Sequence, residues 1–233
     1  MPDPINEQTP ALPEEAAPPG PEARRHAPAT ARNREPIAAA LADWLPASGR
    51  LLELASGTGE HALYFAARFP RIVWQTSEPD PQSRLSIQAY RQDAARQAAG
   101  AANLRAPLAV DVTADDWRLP ADEAVFDAMV CINMIHIAPW AAAQGLFAGA
   151  GRHLAAGGGL FVYGPFKRGG THTAPSNAAF DENLRRQNPA WGVRDLEAVT
   201  ALAQDAGLSQ PLIREMPANN LALWFARQDA ESA

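Results

Sequence analysis

Glu53, Gly57 and Gly59 stand together in the string Glu53-Leu-Ala-Ser-Gly-Thr-Gly-Glu-His61, directly behind the apolar run at 50–55. A strand running into such a turn brings backbone close to a ligand, because glycine tolerates conformations that a side chain forbids. A helix starting at once behind it offers unpaired N–H groups and a partial positive charge to an anionic group. The turn alone does not choose the ligand. Gly57-x-Gly59-x-x-Ala62, with Glu78 further on, also fits a dinucleotide fingerprint, and a plain turn without ligand is the bland alternative. Glu53 separates these readings: a carboxylate at that point repels a pyrophosphate and favours the ammonium and sulfonium of S-adenosylmethionine (SAM). Ser56, Thr58 and His61 share the same loop and the first turn behind it.

More polar residues fall where later strands should end, the ligand edge of an open α/β sheet. Glu78 closes the run 71–77 and suits both ribose hydroxyls; Asp80 is the alternative, with helix capping as its competing role. Asp111 and Val112 follow the run 104–110, where Asp111 suits the adenine amino group or a simple turn. Asn133 and Met134 follow the run 125–132.

Methyl transfer is an in-line displacement at an activated carbon, so alignment and exclusion of water supply much of the catalysis. A base is needed only where the acceptor must lose a proton. His136 suits a general base or acceptor ligand, or equally a helix-start histidine bonded to backbone. Tyr163 is the second catalytic candidate. Lys167, His172, Ser176 and Asn177 lie in the long Gly- and Pro-containing stretch behind it, read as a loop in either a functional or a structural role. Arg32, Asn33 and Arg34 precede the first helix and can fold over the cofactor as a lid, the arginines suiting a carboxylate or phosphate on the acceptor. Capping and solvated charge compete with that reading. Trp140 and Trp191 are candidate pocket walls, and Asn219 and Asn220 read as a hairpin turn. No two of the five histidines are spaced i, i+4, and no carboxylates cluster near residue 136, so no metal site is expected.

These residues need a scaffold that brings strand ends together. Apolar runs at 50–55, 71–77, 104–110, 125–132 and 159–163 alternate with helical stretches at 60–69, 81–98 and 139–154. That rhythm predicts a parallel sheet sandwiched by helices. After a helix at 196–206, runs at 208–216 and 221–227 are too close for a parallel crossover and must pair antiparallel. The expectation is a Rossmann-like α/β domain over 30–229, with a seven-stranded, mostly parallel sheet whose last strand is antiparallel.

Residues 1–29 hold eight of the chain's 21 prolines and little that can be buried, and read as a disordered tail. Asn33 can cap a helix carrying Ile37, Leu41 and Leu45 on one face. The 233-residue chain is 47% hydrophobic with a net charge of −6, the wrong sign for tracking a phosphate backbone. One cysteine, Cys131, excludes an internal disulfide framework. No apolar run is long enough to span a bilayer, and MPDPINEQTP lacks the marks of a secretory signal, so a cytoplasmic monomer or homodimer without membrane or nucleic-acid partner is expected.

The strings RNREPI (32–37), ELASGTGEHALYFA (53–66), WQTSEPD (74–80), CINMIHIAPW (131–140), YGPFKRGGTHTAPSNAAFD (163–181) and WGVRDLE (191–197) resemble the DUF938 family, which includes proteins called methyltransferase-like 26. The resemblance spans residues 32–227 and implies a class I SAM-dependent methyltransferase fold, with Asn133 and Met134 contacting the methionine end and packing the adenine. A small-molecule acceptor with an N, O or S nucleophile is the leading expectation. A non-catalytic SAM-binding module, its 164–178 segment a docking surface, and a nicotinamide-dependent dehydrogenase remain alternatives.

Overall fold

Leu51, Leu52, Met129, Val130, Leu160, Phe161 and Val162 are all excluded from solvent, as continuous apolar runs require in a sheet covered on both faces. The computed structural model describes residues 19–96 and 101–228. In it β1 (Gly49–Leu54) pairs in parallel with β2 (Ile72–Thr76) on one side and β3 (Phe126–Ile132) on the other. β4 (Leu154–Gly164) continues the parallel half. The sheet ends in the antiparallel pair of β8 (Leu212–Met216) and β9 (Asn220–Ala226), with β9 against β4.

The sheet has six strands, in the order β2-β1-β3-β4-β9-β8, not the expected seven. The run 104–110 touches β2 only at two parallel bridges, Trp74 with Leu104 and Ser77 with Leu108. Pro107 is the physical reason. It has no N–H for the Thr76 carbonyl, so Leu108 donates there instead at 3.0 Å. The Ala106 carbonyl takes its bond from the Gln75 side-chain amide at 2.6 Å.

Helices cover both faces. α1 (Pro28–Trp44), α2 (Glu60–Arg68) and α3 (Pro81–Arg96) pack on one through Ile37, Leu41, Phe65 and Ala94. α4 (Trp140–His153) and α6 (Leu196–Asp205) pack on the other through Leu146, Phe147 and Val199. α1 starts earlier than expected, with Pro28 in its first turn, where a missing N–H costs nothing, and Asn33 lies inside the helix rather than capping it. Residues 1–18 of the expected tail lie outside the described residues. Residues 19–27, read as tail, run along α3 instead. The Arg25 N–H donates to Ser86 Oγ at 2.8 Å and the Tyr90 hydroxyl to the Arg25 carbonyl at 3.1 Å.

The stretch read as one loop behind β4 is a small packed unit. β5 (Phe166–Arg168), β6 (Thr171–His172) and β7 (Arg194–Asp195) form a three-stranded sheet, and α5 (Pro175–Gln187) lies between β6 and β7. α5 has Pro175 in its first turn and Arg185 and Arg186 in its last, the order that helix termini favour. No helix among the described residues is long and apolar enough to cross a membrane.

Candidate active site

The carboxyl ends of β1 and β2 are sewn together by backbone. The Ser56 N–H donates to the Ser77 carbonyl and the Ser77 N–H to the Glu53 carbonyl, both at 2.9 Å. Ser56 and Ser77 hydroxyls also point to the Glu53 carbonyl, at 3.3 and 2.9 Å. The turn then enters α2 through Gly59, which has φ of +91°. A Cβ there would stand 2.9 Å from Ile87 Cα. Gly59→Ala therefore combines left-handed strain with a backbone clash against α3. A loss of about 2 kcal/mol or more in urea unfolding is expected, and an unchanged midpoint would mean the turn can relax.

Two carboxylates flank this turn, neither in a salt bridge among the described residues. Glu53 is 2% exposed, and its Oε2 accepts the Trp74 indole N–H at 2.6 Å. Burial pushes its pKa up to about 8; the indole bond pulls the other way and Glu78 adds to the rise. Glu78 accepts the Gly57 N–H at 2.9 Å and the Asp80 N–H at 3.2 Å. Burial raises the Glu78 pKa too, against those two N–H donors. Buried acidic groups around an open backbone turn suit a ligand with a cationic end and hydroxyls. They do not suit a pyrophosphate.

Other expected cofactor residues divide. Asp80 caps α3: its Oδ2 accepts the Ser83 N–H and hydroxyl at 2.9 and 2.7 Å, and Arg25 at 3.2 Å. Thr58 Oγ1 donates to Glu60 at 3.2 Å and shapes the α2 entry. Asp111 is exposed and commits one oxygen to the Thr113 N–H and hydroxyl, while Val112 beside it is buried. Asn133 takes a left-handed conformation, φ 61°, with its N–H on the Tyr163 carbonyl, and Met134 is buried behind it.

Asn33, His61 and Tyr163 come together from three elements. His61 Nε2 donates to Asn33 Oδ1 at 2.8 Å, and the Asn33 side chain beside the Tyr163 hydroxyl offsets part of the effect of burial on that phenol. Burial lowers the His61 pKa to about 4 and raises that of Tyr163, so His61 is neutral and Tyr163 a phenol. Beside this trio opens a cavity of about 430 Å³, between the first turns of α1, the end of β4, the start of α5 and the β8–β9 turn. Arg32, Asn33, Asn133, Tyr163, Ser176 and Asn177 line it. Asn177 Nδ2 bonds the Asn219 carbonyl at 2.9 Å, and Asn219 Nδ2 donates to Ser176 Oγ at 3.2 Å, fastening α5 to that turn.

Six candidate side chains lie away from this cavity. His136 is no accessible base: it is wholly buried, its Nδ1 accepts the Arg194 N–H at 3.3 Å, and burial lowers its pKa to about 3. A Cβ on Gly164 would stand 2.4 Å from its Nε2, so only glycine lets β4 pass. Lys167 and His172 do not face the cavity but pair with Asp181 Oδ2 at 3.3 and 3.2 Å. Arg34 lies over the Tyr64 ring, 4.8 Å from its centroid, in a separate hollow. Trp140 packs on the core with the Arg194 guanidinium 5.5 Å from its ring. Trp191 sits behind α5, its N–H on the Asn188 carbonyl, and does not line the cavity. Phe180, Pro165, Pro217 and Ala218 were missed as lining residues, because α5 and the turn before β9 were not assigned a shared space.

Residues 24–227 match the model of a family described as a protein of unknown function, DUF938. Among solved structures, an O-methyltransferase family protein from Burkholderia thailandensis superposes with TM-score 0.68 at 17% identity, over 87% of this chain and 58% of that one. Human N-acetylserotonin methyltransferase in complex with SAM gives TM-score 0.67 at 15% identity, over 86% and 53%. An O-methyltransferase family 2 protein from Planctomyces limnophilus, in complex with apigenin, gives 0.66 at 19%, over 85% and 59%. At these identities the likeness is one of fold, and this chain spans little more than half the length of those proteins.

Proposed function

The chain belongs to the DUF938 family, and we propose that it is a SAM-dependent methyltransferase acting on a small-molecule acceptor. The observation that carries this reading is the pair of buried carboxylates, Glu53 and Glu78, on either side of the turn at Gly57 and Gly59. SAM supplies an electrophilic methyl carbon on a sulfonium. Glu53 would hold its ammonium and Glu78 its ribose hydroxyls. The open oxygen of Asp111, with Val112 and Met134, would receive the adenine, and Asn133 would flank the methionine end. The nearby solved structures whose names include SAM support this choice of cofactor. The 164–178 segment forms part of a cavity wall at the same sheet edge, which favours catalysis over a docking role.

Isothermal titration with SAM, and separately with NADH, tests the reading. Micromolar SAM binding without NADH binding is expected; the reverse outcome removes it. Glu53 adds a second signature. With its free pKa at about 8, the group is protonated at pH 7, and a bound ammonium favours the ionised form. Binding at pH 7 should therefore release about one proton, seen as a heat that changes with buffer ionisation enthalpy. Affinity should rise as pH climbs toward 8 and fall again above it, as the ligand's own ammonium loses its proton. Glu53→Gln should abolish the proton release. In the unliganded chain the sign is fixed by the raised value: Glu53 contributes fully below its unfolded pKa near 4.5, and that contribution is lost as pH rises through about 8.

A further inference from the structure

We propose that the acceptor is a small carboxylate, methylated on the oxygen that carries its charge; this rests on the methyltransferase reading and names the substrate class for it. Thirteen residues line the 430 Å³ cavity, and Arg32 is the one with a formal charge. None is Asp, Glu, His, Lys or Cys. Arg32 is exposed at the rim and makes no ion pair among the described residues. That lone guanidinium draws in an anion and repels a protonated amine.

The same inventory bears on the nucleophile. An alcohol must lose a proton on attack, and the cavity wall offers no group that takes one near neutrality. The titratable group there, apart from Arg32, is the Tyr163 hydroxyl, which lines the cavity and whose pKa burial raises. A phenol held this way keeps its own proton to donate to an anionic oxygen. His136 is wholly buried, and His172 is paired with Asp181. A carboxylate needs no base. Its oxygen lone pair attacks the methyl carbon, the carbon–sulfur bond breaks, and the bond pair goes to sulfur. A methyl ester and a neutral thioether result, and no proton moves. One negative and one positive charge vanish together, a change that a cavity walled by Phe180 and three prolines favours over water.

The test uses the full chain. Titration with SAM alone comes first, because failure there removes the methyltransferase reading itself. The protein loaded with S-adenosylhomocysteine is then titrated with acetate, phenylacetate and indole-3-acetate, each against its own amide. At least one carboxylate is expected to bind about tenfold tighter than its amide, and Arg32→Gln should bring the two within about threefold while leaving the SAM affinity unchanged. Turnover with methyl-labelled SAM should give a product that releases labelled methanol in alkali, with kcat/KM level from about pH 6 to 9 at saturating SAM. Normal SAM binding with every amide equal to its carboxylate, or turnover that yields an alkali-stable methyl group, overturns the proposal.

Discussion

Glu78→Ala is expected to weaken SAM binding at least about a hundredfold while the chain remains folded. Two hydroxyls of a ribose would lose charge-assisted acceptors, each worth about 1.5–3 kcal/mol, and each 1.4 kcal/mol is a factor of ten. The backbone suffers less. Glu78 accepts the Gly57 and Asp80 N–H groups, and in the alanine variant water can reach both at this half-open edge. Its carboxyl is moreover held at a raised pKa by burial, so its removal also relieves a desolvation cost. Titration calorimetry gives the affinity and a thermal melt without ligand gives the fold. Glu78→Gln, which keeps one acceptor oxygen, should fall between wild type and alanine. A dissociation constant within threefold of wild type in Glu78→Ala would place the ribose elsewhere and undo the cofactor geometry proposed here.

Glu53 and Glu78 were legible because both end apolar runs, and strand ends meet at one edge of an α/β sheet whatever the loops do. What the alternation of apolar runs could not carry was local backbone chemistry. The 104–110 run is apolar enough for a strand, yet Pro107 has no N–H to give Thr76 and the ladder shrinks to two bridges. α5 was hidden for a different reason. Gly169, Gly170 and Pro175 punctuate the segment, and its buried face is formed by Asn177, Asp181 and Leu184, two of them polar. A periodicity of apolar residues cannot register a helix whose inward side is held by charge. The same blindness misplaced Lys167 and His172, which looked available for a substrate while their partner, Asp181, went unremarked. His136, read equally as a base or as a histidine bonded to backbone, takes the second arrangement, since a single histidine behind a strand gives no sign of which way its ring turns. Tyr163, Asn33 and Asn133 share the cavity because the ends of β4 and β3 and the early turns of α1 meet at one edge.

The largest loss of stability is expected from Asp181→Ala. Its Oδ1 accepts the Val193 N–H at 2.7 Å and Arg185 Nε at 3.2 Å, while Oδ2 meets Lys167 and His172. Gly192 passes so close that a Cβ there would lie 2.5 Å from Oδ1. Burial alone would raise the Asp181 pKa, but the Val193 N–H, Arg185 and Lys167 outweigh it and hold it below the usual carboxylate range. Alanine leaves a buried N–H and a largely covered lysine without their acceptor, a loss of about 3–5 kcal/mol. Because the folded pKa is depressed, this stability is present above the unfolded value near 3.8 and is lost as pH falls through the lower folded one. The alanine variant should therefore melt with a flatter acid limb than wild type. Asp181→Asn, which keeps an acceptor for Val193, should lose less. Ser176, Asn177 and Phe180 line the cavity from α5, so loosening that helix should raise the acceptor KM and speed hydrogen exchange across Pro175–Gln187. SAM affinity should stay within about threefold, since the carboxylate edge of β1 and β2 is built without α5. If Asp181→Ala lost SAM binding while still folded, cofactor and acceptor would share one support, and the division of labour between the strand ends and the α5 unit would fail.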